Sequence, residues 1–311
     1  MVIPGNFPFG EALIEFGESY SPQFSSDGDR FLFIASKRQS HQHSQVYEFD
    51  FTEGKERRIT FQDGENRNPI YMNKGKIAYS SSTDEIKERP IRLFSEASKI
   101  QRDGFHFSVS DLYVSDRFGE DISRLTKSPG FDGFLSFRNE IPRKIVYSRQ
   151  VGMNIEIWEV SVEGKKEKKL HSTKGSLLLY PQWNERKKIW LWIEQKANNE
   201  FSQLMMAKSS FREIKSLDLP VGNHAEFVFS ADGEKIIISS DINKSGRFQI
   251  YGFDLLTTCF WPLIAYASQL REPSLSPNQK DLLFVSDVSA VKKIYKTQVE
   301  LTYKNCILEE N

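Results

Sequence analysis

Seven polar residues recur at matching points of a repeating pattern: Arg67, Asn68, Asp132, His224, Glu226, Arg271 and Glu272. Together with Tyr180 they stand just ahead of successive apolar strands. The set holds two arginines and three carboxylates. Convergent polar groups of this kind suit a peptide or a small polar ligand. The carboxylates are also the residue type that would serve as general acid and base. No G-x-S-x-G, H-E-x-x-H, P-loop or G-x-G-x-x-G segment occurs, so the sequence signals no catalytic residue. The five histidines, His41, His43, His106, His171 and His224, are scattered. His41 and His43 share a polar loop without a third ligand and read as solvated. Neither a metal nor a cofactor is expected.

The elements that must position these residues repeat at a fixed interval. Pro22, Pro69, Phe134, Pro181, Phe227 and Pro273 are spaced 47, 65, 47, 46 and 46 residues apart. Each unit reads as a Pro-led strand, a turn, a second apolar strand, a third strand and a short fourth. The third strands centre on Tyr47, Tyr113, Trp158, Met205, Tyr251 and Tyr295. Asp27-Gly28 and Asp232-Gly233 mark tight hairpins between the first two strands, because glycine tolerates the positive φ. The prediction is an all-β, six-bladed β-propeller of four-stranded antiparallel blades, occupying residues 21–311. Its aromatic residues then pack blade to blade, and Trp190 and Trp192 share one buried strand face. The seven polar residues converge at one mouth of the central channel. Residues 1–20 form an N-terminal segment in which Ala12–Phe16 is a ring-closing strand candidate; Cys306–Leu308 competes for that place.

One interval is 18 residues longer than the 47-residue spacing. The excess is an insertion in the second blade, Thr83–Phe107, where any helix is expected. Its charged part includes Glu85, Lys87, Glu88 and Arg89, followed by apolar Ile91, Leu93 and Phe94. The expectation is that it folds over the channel mouth and selects a partner.

Lysine plus arginine equals aspartate plus glutamate at 42 each, which gives no general attraction to nucleic acid or to an anionic membrane. No 18-residue apolar run reads as a transmembrane helix, and Met1–Phe16 lacks the basic start and apolar core of a signal peptide. Cys259 and Cys306 read as buried fillers of separate blades rather than a disulfide, and their spacing suits no metal. A monomer is expected.

The repeat resembles that of the TolB-type propeller. The residues carrying the likeness are Pro22-Gln23-Phe24-Ser25-Ser26-Asp27-Gly28, Ile34-Ala35-Ser36, Val46-Tyr47, Ile59-Thr60 and Leu125-Thr126. The resemblance covers about residues 21–300. It implies a periplasmic or envelope-associated, non-enzymatic protein that binds a protein or peptide partner at its channel mouth. The competing reading is a hydrolase or lyase acting on a polysaccharide or peptide, with channel carboxylates as acid and base.

Overall fold

The second strand of every repeat is apolar on both faces, and that dictates the architecture. Residues 30–36 (RFLFIAS) and 235–242 (KIIISSDI) do not alternate as a half-solvated strand would. Such a strand needs a partner sheet on each side. The computed structural model, which describes residues 8–83, 108–196, 199–242, 246–303 and 305–307, supplies them. The insertion residues Glu85, Lys87, Glu88 and Arg89 lie outside the described residues. The described part holds 23 strands and one short 3-10 turn.

The strands form five sheets, three of four strands, one of three and one of eight. The eight-stranded sheet joins two antiparallel groups by a parallel bridge between Ile155 and Leu177, so six antiparallel groups follow one another along the chain. The chain divides into two units: residues 1–58 with 218–311, and residues 59–217. The first unit holds β1 (Glu18–Phe24), β2 (Arg30–Ser36), β3 (Gln45–Asp50) and β4 (Lys55–Arg58). It also holds β17 (Gly222–Phe229), β18 (Lys235–Ile242), β19 (Gln249–Asp254) and β20 (Phe260–Ile264), then β21 (Leu270–Leu275), β22 (Asp281–Ser286) and β23 (Lys293–Gln298). The second unit holds β5 (Asn66–Tyr71), β6 (Lys76–Ser81), β7 (Asp111–Asp116) and β8 (Ser123–Arg124). There follow β9 (Asp132–Arg138), β10 (Lys144–Val151), β11 (Asn154–Ser161) and β12 (Glu167–His171). Its last group is β13 (Ser176–Asn184), β14 (Ile189–Lys196), β15 (Gln203–Lys208) and β16 (Ile214–Ser216).

Within the first unit, Phe31, Phe33 and Ala35 of β2 pack against Leu283 and Val285 of β22. Within the second, Ile145 and Tyr147 of β10 face Ala78 and Leu112, while Val146 on the opposite face meets Leu178, Trp190 and Trp192. Trp190 and Trp192 are 1% and 0% exposed, as their shared strand face predicts. Burying each such side chain contributes about 1.5–3 kcal/mol.

The tight hairpins expected at Asp-Gly are set by a side-chain rule. Ser25 accepts the Arg30 N–H and donates to its carbonyl, and Asp27 accepts the Asp29 N–H. The loop is therefore four residues long, with Gly28 at φ 82. Ser230 and Asp232 repeat this arrangement, and Ser276 and Asn278 repeat its backbone N–H bonds, accepting from Asp281 and Lys280.

The C-terminal end corrects two expectations: Cys306–Leu308 as the outer strand of the last group, and the two cysteines as unpaired fillers. The Leu13 N–H donates to the Ile294 carbonyl at 2.9 Å, so the N-terminal segment lies along β23. Cys306 is not a strand of the last group. The Ile307 N–H donates to the Phe260 carbonyl of β20, and Cys259 and Cys306 form a disulfide. The spacing argument failed because the end of the chain runs onto the neighbouring group, where the Tyr303 ring lies 4.9 Å from Trp261, tilted by 38°, and Ile307 pairs with Phe260.

Candidate functional site

Each first strand carries a β-bulge at the same place; Asn68, Glu226 and Glu272 sit on it, and Arg67, Asp132, His224 and Arg271 sit one or two residues before it. Two residues oppose one: 21–22 against Phe33, 68–69 against Tyr79, 134–135 against Tyr147, 180–181 against Trp192, 225–226 against Ser239 and 272–273 against Phe284. Five of the six opposing residues are large aromatics, and all five of these are buried. In those five groups the first bulge residue has positive φ: Ser21, Asn68, Phe134, Tyr180 and Glu272 at 49–54°. The group with Ser239 has no positive φ in its bulge pair. A bulge bends the strand and re-aims its side chains. The candidates therefore lie inside the first strands rather than ahead of them. The repeat markers shift in two groups: Leu135 replaces Phe134 in the third, because Phe134 matches Ser21, and Glu226 replaces Phe227 in the fifth, because the bulge pair there is 225–226.

In the second unit the bulge residues touch one another in sequence. The Phe134 N–H donates to Asn68 Oδ1 at 3.2 Å, and the Phe134 and Tyr180 rings lie 4.3 Å apart, tilted by 48°. Both rings are half-buried. Gly133 is required by close approach: a Cβ there would stand 2.3 Å from the Phe131 ring. Arg67, beside Asn68, is exposed, and its guanidinium has no partner among the described residues. Asp132 points inward and is wholly buried, with both oxygens on Arg149 at 2.8 and 2.7 Å. Arg149 also binds Glu167, and burial holds Asp132 above the usual carboxylate range. Burial likewise pushes Asp111 up to about 7, although it accepts bonds from the Ser128 N–H and from Arg124.

In the first unit the row is ionic. Arg271 grips Glu226 with two nitrogens, at 2.7 and 3.3 Å, and its guanidinium lies 4.2 Å from the Phe248 ring centre. Glu272 accepts the Ser21 N–H, and burial with the nearby Glu226 charge raises its pKa. His224 is 6% exposed and shares a 2.7 Å hydrogen bond with the Ser240 hydroxyl. Burial pushes its pKa down to about 4, so it is neutral near pH 7. His41, read as solvated, instead bonds the His43 carbonyl at 2.6 Å and packs on Tyr47.

The structure thus gathers Asn68 with Phe134 and Tyr180 in one unit, and Glu226 with Arg271, Glu272 and Ser21 in the other. Sequence reasoning missed the roles of Ser21, Phe134, Arg149 and Asp111. The available signal was the X-Pro step and the aromatic in mid-second strand, both recurring with the repeat.

Comparison with solved structures defines the architecture. An oligogalacturonate lyase from Vibrio parahaemolyticus superposes with a TM-score of 0.63 at 13% identity, over 94% of this chain and 81% of the lyase. The β-propeller domain of the Trilobed protease from Pyrococcus furiosus gives 0.54 at 13%, over 94% and 84%. TolB from Acinetobacter baumannii gives 0.57 at 16%, over 89% of this chain and 65% of TolB. The fold is a β-propeller. At these identities the likeness extends to the fold alone. No protein-family model matches the chain. No curated protein matches it in sequence.

Proposed function

We propose that this chain is a six-bladed propeller of the bacterial cell envelope that binds a protein or peptide without catalysis. Each of the six strand groups is one blade, and residues 21–311 are one domain. The ligand residues are Arg67 and Asn68 in one unit, with Asp132 as a buried support, and Glu226, Arg271 and Glu272 in the other, with His224 as a buried support. The observation that carries this reading is the state of the carboxylates. Asp132 and Glu226 are each gripped by an arginine, and Glu272 accepts a backbone N–H. A general base needs a carboxylate within reach of substrate, whereas Arg67 stands exposed and unpaired among the described residues. The engaged acids therefore favour binding over hydrolase or lyase chemistry.

A periplasmic location is supported by the Cys259–Cys306 disulfide, since such bonds persist in oxidising compartments, and by the fold shared with TolB. The charged insertion residues Glu85, Lys87, Glu88 and Arg89 belong to the same reading as the partner-selecting element. Joining Ser82 to Ser108 through a short Gly-Ser linker is expected to keep the thermal midpoint and lose the partner.

The central test is affinity capture from an envelope extract with the wild type and with the Arg67→Glu, Arg271→Glu double variant. A protein captured by the wild type and lost from a folded variant supports the reading. Equal capture by both overturns the site, and turnover of a polysaccharide or peptide overturns the binding function.

A further inference from the structure

Arg67 and Arg271 hold the same place in the repeat, directly before a bulge pair. Their surroundings differ. Arg271 is paired by Glu226, which belongs to the bulge pair of the preceding repeat. The repeat preceding Arg67 carries Ser21 and Pro22 at its bulge, and neither has a charge. Arg67 is left exposed, with no partner among the described residues. An unpaired guanidinium offers a planar fork of N–H donors that matches a carboxylate.

The neighbouring bulge residues add a second requirement. A left-handed backbone favours glycine or asparagine, and Asn68 fits that rule. Phe134 and Tyr180 do not, and bulky residues at φ 50 and 53 are outliers. The bulge itself is common to the fold, but these ring side chains are not demanded by it, since Ser21 and Glu272 occupy it equally. The rings lie 4.3 Å apart at 48°, so each covers part of the other's face. A sugar ring needs an open, flat aromatic face. A tilted, half-buried pair suits the edge of an aliphatic or aromatic side chain instead. The cation and the ring pair are joined through Asn68, which follows Arg67 and binds the Phe134 N–H.

We propose that the bulge row of the second unit binds an acidic peptide segment, its carboxylate paired with Arg67 and an adjacent apolar side chain set against Phe134 and Tyr180. This rests on the binding function proposed above and names its ligand class. The charged group supplies orientation, and the rings select against wholly hydrophilic acidic chains.

The test uses the full chain and a fluorescein-labelled peptide of alternating Glu and Phe, read by fluorescence anisotropy. Companion probes carry Gln for Glu, or Ala for Phe. Arg67→Met is expected to weaken the acidic probe by about tenfold or more, the usual worth of a charge-assisted bond, while binding of the Gln probe stays unchanged. Arg67→Lys should recover part of that loss. Tyr180→Asn, which tolerates the left-handed backbone, should erase the preference for Phe over Ala and leave the thermal midpoint near the wild-type value. Equal binding of the acidic probe by wild type and Arg67→Met overturns the proposal. So does competition by tetragalacturonate at lower concentration than the peptide. If no peptide probe binds, yet the wild type still captures a protein through Arg67 and Arg271, the peptide class is wrong and the binding function stands. If that capture also fails, both are wrong.

Discussion

Arg149 neutralises a fully buried carboxylate of the second unit, and its removal isolates the penalty of leaving that charge alone. Asp132 is 0% exposed and takes both of its ion-pair bonds from Arg149. Arg149→Met should cost about 3–5 kcal/mol in chemical denaturation at pH 7, the usual penalty for breaking a buried pair from one side. Burial already raises Asp132, so the loss should shrink in acid, where the orphaned carboxyl is protonated. A loss below about 1 kcal/mol at pH 7 would show that the pair is dispensable. His224 gives a separate pH signature. Its folded pKa, about 4, lies below the unfolded value near 6.5. The unfolded chain therefore binds the proton first. The stability tied to the neutral ring is complete above about pH 6.5 and is lost as pH falls towards 4, amounting to roughly 3 kcal/mol at most. Comparing thermal midpoints of wild type and His224→Gln between pH 7 and pH 4 checks this. The variant's curve should be flatter, and parallel curves would refute the assignment. At this scale the residue types were legible in the sequence, but their direction was not. Asp132 and Arg67 look equally exposed on paper, yet they stand one register position apart in the repeat, Asp132 matching buried Asn66, and strand alternation puts them on opposite faces.

At the scale of elements, the two chain ends finish two sheet edges in the first unit. The N-terminal segment lies on β23, and residues 305–307 lie on β20 behind the Cys259–Cys306 bond. An uncovered strand edge invites pairing with another chain, so both segments protect the molecule. The disulfide spans 47 residues of sequence. Closing a loop of that size contributes about 2–4 kcal/mol. Cys306→Ser, or incubation with dithiothreitol, should lower the thermal midpoint and speed amide exchange at Ile307 before it affects β2 or β22. An unchanged midpoint would mean that the backbone bond and the Tyr303–Trp261 contact already hold the end in place. The third strands and most fourth strands were legible because their Tyr, Trp and Thr positions recur with the repeat. The C-terminal segment was not, since a strand that pairs with an earlier group leaves no periodic trace.

At the scale of the whole molecule, a monomer is the expectation. Light scattering should find the mass of one 311-residue chain, and a stable dimer would overturn that expectation. The sequence by itself determined the all-β class, the repeat and the buried second strands. Those follow from local rules: apolar runs that need cover on both faces, and turn residues whose side chains bind their own backbone. Tertiary structure decided what the repeat does at each turn. Whether Arg271 meets Glu226, whether Glu272 meets Ser21 and whether Cys259 meets Cys306 depend on contacts between groups tens of residues apart or more. Such contacts depend on the register of neighbouring sheets and on a bulge that offsets one strand against the next. Periodicity fixes which position repeats, but the residue a distant group presents there fixes whether an arginine such as Arg271 is paired.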